Sequence, residues 1–124
     1  MKTRIIVLAM LVAALVLTAS AADVNANGQW KTTFMTPMGP EHYVFTFTVA
    51  GAKVTGTAKS DRGPTPIQDG VLKGDVITFT EILSAQGQKI PMKYSGKVGA
   101  DEIKFQRLVG NFGKDDFVAK RLPK

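Results

Sequence analysis

Few residues in this chain are equipped for chemistry, and their types exclude more than they suggest. There is one histidine, His42, and no cysteine. A zinc site takes three or four converging ligands, usually Cys, His and carboxylate, so one His without Cys does not supply it. The missing cysteine also removes disulfides, thiol catalysis and a lipid-modified N-terminal Cys. A serine hydrolase would have to join Ser60, Ser84 or Ser95 to His42, and none of these serines sits in a Gly-x-Ser-x-Gly elbow. Glycosidase chemistry needs two acids facing each other across a cleft. Asp101-Glu102 and Asp115-Asp116 are sequence neighbours, which a strand splits between its faces or a turn leaves in solvent. Glu81 and Asp69 fall inside strand patterns, with Asp69 on the outward face. The expectation is no catalytic residue, no metal, no cofactor and no enzyme activity.

The elements that must position these residues begin after a leader. Met1-Lys2-Thr3-Arg4 is basic, Ile5 to Leu17 is unbroken apolar sequence, and Thr18-Ala19-Ser20-Ala21-Ala22 is small. That is the form of a cleaved secretory signal, and the apolar run falls short of the roughly 20 residues that span a bilayer. Residues 1–22 read as signal peptide and 23–124 as one domain, secreted or periplasmic, without a stable membrane anchor after cleavage. An uncleaved anchor helix is the alternative, and Asn25-Ala26-Asn27 offers a second cut. Without disulfides, so small an exported domain must be held by its own apolar core. The formal charge of +6 falls to about +4 once Lys2 and Arg4 leave. The remaining Lys and Arg are scattered singly, which reads as solvated faces. Nucleic-acid binding needs a clustered basic stripe with stacking aromatics and is not expected.

No apolar period of 3.6 is sustained after Asp23. Tyr43, Phe45, Phe47 and Val49 alternate with Val44, Thr46 and Thr48, the pattern of a half-buried strand. Twelve glycines and six prolines break the chain into short segments. Eight strands are predicted: Gln29–Thr36, His42–Val49, Lys53–Ser60, Thr65–Lys73, Val76–Leu83, Lys89–Val98, Glu102–Leu108 and Asp116–Leu122.

Asp69 to Phe79 aligns without gaps on Ser95 to Phe105, so that Gly70, Asp75, Ile77 and Phe79 match Gly96, Asp101, Ile103 and Phe105. The repeating unit is a hairpin, which suits an up-and-down meander. Connections alternate in expected length. Ala50-Gly51-Ala52, Gly74-Asp75 and Gly99-Ala100-Asp101 are short. Pro37 to Glu41, Asp61 to Pro64, Ser84 to Gln88 and Val109 to Asp115 read as longer loops. In a meander these two sets fall at opposite ends, giving a barrel with one tight end and one loop-rimmed mouth.

Gly28-Gln29-Trp30 at the start and Phe117-Val118-Ala119-Lys120-Arg121 at the end resemble the calycin group of lipocalins, fatty-acid-binding proteins and avidins. The resemblance implies that Trp30 closes the barrel base against Arg121, with Gly28 beside them. The mature chain also resembles small secreted bacterial β-barrel domains of unknown function. These share the Gly-x-Trp start, a first loop like Thr36 to Pro40, Thr55-Gly56-Thr57, two Gly-Asp-like hairpins and a final Phe-x-Ala-x-Arg. The chain is shorter than a typical lipocalin, and its single tryptophan departs from the avidin pocket.

The expected function is non-catalytic binding of a small apolar or amphipathic ligand in or at the mouth of the barrel. Tyr43, Phe45 and Tyr94 would give apolar contact, and Arg107 or His42 would orient a polar group. Met38 and Phe112 would lie on the rim. The alternatives are a monomeric protein-interaction or inhibitor module using the rim loops and, third, a degenerate hydrolase. A hollow interior favours the first, a solid core with protruding loops the second, and converging acids the third.

Overall fold

The structure is a computed structural model that describes residues 24–36 and 39–123. The expected leader and Met38 lie outside the described residues. All elements described are strands: β1 (Gly28–Thr36), β2 (Gly39–Ala50), β3 (Lys53–Ser60), β4 (Gly63–Pro66), β5 (Gln68–Lys73), β6 (Val76–Ala85), β7 (Gln88–Val98), β8 (Glu102–Val109) and β9 (Gly113–Arg121). The antiparallel order β1-β2-β3-β5-β6-β7-β8-β9 returns to β1, with β4 added beside β3. It is a closed up-and-down barrel of eight strands.

Period-2 alternation puts Trp30, Tyr43, Phe45, Phe47, Phe79, Tyr94 and Phe105 inside. Phe45 lies at the centre, its ring centroid 5.5–5.9 Å from those of Tyr43, Phe47, Phe79, Tyr94 and Phe105. A barrel of this strand number has room for side chains or one small ligand; here the rings occupy the middle. Pairs at such separations contribute about 0.5–1.5 kcal/mol each beyond burial.

The sequence repeat is the pair of hairpins β5–β6 and β7–β8. Its two matching glycines are both buried because the backbone or a ring lies against them. A Cβ on Gly70 would stand 2.2 Å from the Val54 carbonyl oxygen, and one on Gly96 would stand 2.6 Å from Phe105 and Ile103.

Two expectations are corrected. The segment Thr65–Lys73 is not one strand: it breaks at Ile67, whose N–H bonds the Gly56 carbonyl at 3.0 Å. The register then shifts between Gln68 and Val71, where Asp69 takes a positive φ of 55°. The break leaves β4 paired with β3 alone, while β5, with the bulge in its β6 ladder, pairs with both β3 and β6. The longer loops are also absent. Ladders continue through Met35 opposite Pro40, Ser60 opposite Gly63, Ala85 opposite Gln88 and Val109 opposite Gly113. Both ends therefore carry connections of two or three residues. Gln86 and Gly87 both have positive φ, as a two-residue type I′ turn requires. The assignment of connections to the two ends stands; the contrast in their lengths does not.

Candidate functional site at the open end

One end is sealed. Trp30, fully buried, donates its indole N–H to the Ala26 carbonyl at 3.1 Å. The Arg121 guanidinium lies 4.1 Å above the indole. It donates to the carbonyls of Ala100, Asn27 and Asn25 at 3.0, 2.9 and 2.6 Å. Three backbone acceptors and one aromatic face thus tie residues 24–27 and the β7–β8 turn to the base. Gly28 lies beside Arg121, where an added Cβ would meet its Nη1 at 3.5 Å.

The other end carries ionisable groups inside the wall. The register sets Asp115 on β9 opposite Arg107 on β8, and Arg107 opposite Tyr94 on β7. Arg107 is 7% exposed and Glu81, on β6, is 3% exposed. The Tyr94 hydroxyl donates to Glu81 Oε1 at 2.8 Å. Arg107 donates through Nε and Nη2 to Asp115 Oδ2 at 3.3 and 2.8 Å. Its guanidinium stacks 4.0 Å from the Phe34 ring centre. Nearby, Glu41 pairs with Arg62 at 2.8 Å.

Burial raises the Glu81 carboxyl above its ordinary range, against the lowering pull of the Tyr94 hydrogen bond and Arg107. Burial, with the charges of Glu81 and Glu41, pushes Tyr43 up to about 12; burial also raises Tyr94. For Arg107, burial acts to lower the pKa, and the hydrogen bonds and charges of Asp115 and Tyr94 together outweigh it to leave the guanidinium above its ordinary value. Clusters of such perturbed groups are commoner at functional sites than elsewhere.

The wall itself parts here. The β1–β9 ladder covers only Trp30 opposite Arg121 and Lys31 opposite Lys120. Thr32 extends the contact by donating its hydroxyl to the Val118 carbonyl at 2.8 Å. Towards the open end a groove of about 560 Å³ lies between the two strands, lined among others by Phe34, Met35, Lys114, Asp115 and Phe117. The carboxylate that holds Arg107 is thus a lining residue of a solvent-accessible groove; its side chain is 48% exposed.

The structure brings Tyr43, Tyr94 and Arg107 together on the inner wall, while Phe45 is sealed in the ring cluster. His42 faces outward, its Nδ1 3.1 Å from the Thr33 hydroxyl. Phe112 stands in the β8–β9 turn and is 78% exposed. From sequence Glu81 is only a mid-strand acid, although it sits two residues beyond Phe79 on an inward face. Asp115 was read only as a neighbour of Asp116. Among the described residues no group of three or more metal-ligating side chains gathers, and no helix is long and apolar enough to cross a membrane.

Comparison with protein-family models, with curated proteins and with solved structures finds no match to this chain.

Proposed function

We propose that the protein is an exported, non-catalytic binding protein of calycin-like kind, taking an amphipathic carboxylate at the open end of the β1–β9 seam. The observation that carries this reading is the half-exposed Asp115, a lining residue of the groove, holding the buried Arg107 behind it. A ligand carboxylate takes the place of Asp115 on Arg107, with Lys114 beside it. An alkyl body lies along Met35 and Phe34. The stacking of Arg121 on Trp30 supports the calycin-like reading. Because rings fill the middle of the barrel, the ligand sits at the mouth and not in a central cavity.

Titration with dodecanoate, followed by amide chemical shifts, tests this. Shifts should map to β1, β9 and the β8–β9 turn. Arg107→Gln should weaken binding at least about tenfold, the worth of a charge-assisted hydrogen bond, and Phe112→Asp should weaken it by repulsion at the rim. Asp75→Asn and Ala100→Ser, at the sealed end, should leave it unchanged. Shifts confined to the sealed end would overturn the reading.

A rim that docks a protein partner is the second reading, favoured by Met35 and Phe112, 79% and 78% exposed at the same end. It predicts no dodecanoate binding. Hydrolase chemistry is disfavoured because Glu81 is closed off from solvent and engaged by Tyr94.

A further inference from the structure

Lysines that stand singly along the sequence are gathered by the meander onto one wall. Lys97 on β7, Lys104 on β8, Lys120 on β9 and Lys31 on β1 all point outward. The register puts Lys97 directly opposite Lys104, and Lys120 directly opposite Lys31. Like charges placed so are destabilising in a sheet. Lys97 has Asp75 at 3.2 Å and Lys120 has Glu102 at 2.8 Å. Lys31 and Lys104 form no salt bridge among the described residues.

Exposed aliphatic side chains share this wall: Val76 on β6, Leu108 on β8 and Val118 on β9. A groove of about 550 Å³ runs among Lys97, Lys104, Gln106, Val76 and Val118, with Asp116 the one acid on its lining. The opposite wall, β2–β3, carries Lys53 and Lys59 near its two ends but presents Thr46, Thr48, Thr55 and Thr57 between them, with no large aliphatic side chain exposed. A surface that interleaves cations with aliphatic groups suits a partner that is anionic at its surface and apolar just beneath, which is the section through an acidic bilayer. A soluble polyanion would have no use for the aliphatic side chains.

We propose that the β6–β9 wall, continued by β1, docks the barrel on an anionic lipid bilayer. Lys31, Lys97, Lys104 and Lys120 meet headgroup phosphates, which relieves the two lysine pairs. Val76, Leu108 and Val118 reach the acyl boundary.

The test is co-sedimentation of the protein recovered from cells with two kinds of vesicle. One is phosphatidylcholine alone; the other holds about one-third phosphatidylglycerol, enough for a negative surface potential. Partition should favour the anionic vesicles at least about tenfold, and added salt should weaken it. The neutral vesicles report anything contributed by the apolar leader. Lys97→Gln/Lys104→Gln and Lys31→Gln/Lys120→Gln should each lower anionic partition about tenfold or more, with thermal stability equal to or above the parent. Val118→Ser should lower it without changing charge. Lys53→Gln/Lys59→Gln, on β3, should stay within about twofold of the parent, since that wall faces away from the bilayer. Equal partition to neutral vesicles would overturn the proposal. So would an equal loss in the Lys53/Lys59 pair, or binding to soluble heparin without binding to vesicles.

Discussion

Each end of the barrel lays an arginine on an aromatic ring, Arg121 at 4.1 Å from Trp30 and Arg107 at 4.0 Å from Phe34. Their hydrogen-bond partners separate them. Arg121 donates to three backbone carbonyls, acceptors that no ligand or protonation can remove. Arg107 donates to one side-chain carboxylate, half exposed in a groove, and weakly to the Met92 sulfur at 3.9 Å. The same residue type over the same kind of ring thus clamps one end and leaves an exchangeable contact at the other. What marks a candidate site here is the replaceability of the partner, more than burial or charge.

The sharpest way to break this contrast is at the sealed end. Trp30→Ala should cost about 3–5 kcal/mol, as for other buried large aromatics, read as a fall in urea midpoint. Arg121→Ala should cost about 2 kcal/mol, through charge-assisted bonds and the stacked guanidinium. The double variant should cost less than the two together, because each truncation removes the other's contact. Strict additivity would show that the stack carries no energy and that the base is closed by Trp30 alone.

The strands and the closure were legible in the sequence because alternation and the Trp30/Arg121 pairing are local or terminal signals. The repeat was legible too, and its glycines have a physical reason in Val54 and Phe105 lying against them. The connections differ from the expectation because Pro40, Pro64 and several glycines look like loop residues, whereas the ladder runs through them. Proline gives up one donor and a strand edge tolerates that. Glu81 was hidden by its type: an acid on an inward register needs Tyr94 and Arg107 beside it, and both come from other strands. The lysine wall was illegible for the same reason, since only the strand register turns single lysines into neighbours.

At the open end, pH should act through Glu81. Its folded pKa is raised above the unfolded value by burial, so the folded state favours the protonated form. The stability this gives is full below the unfolded pKa, near 4.5, and is lost as pH rises through the folded pKa. Urea midpoints of the parent should therefore fall as pH rises from about 4.5, the ordinary carboxyl value, while Glu81→Gln should flatten that decline. Tyr43, raised to about 12, should add a second loss between its unfolded value near 10 and that pH, absent in Tyr43→Phe. A parent and Glu81→Gln with parallel profiles would mean that Glu81 feels no burial at the mouth.

The smallest effect should come from Asp115→Asn, and it is the most telling. A salt bridge whose acid is half exposed is screened by water and salt, and such pairs typically contribute under about 1 kcal/mol. The asparagine oxygen still accepts from Arg107, so the guanidinium is not left bare. The urea midpoint should move little, and its residual dependence on salt should shrink. Dodecanoate should bind more tightly, because the internal competitor for Arg107 has lost its charge. A cost near that of Arg121→Ala would instead make Arg107 and Asp115 a second clamp. The two ends would then differ in sequence and not in kind, and the groove would lose its claim to be the site.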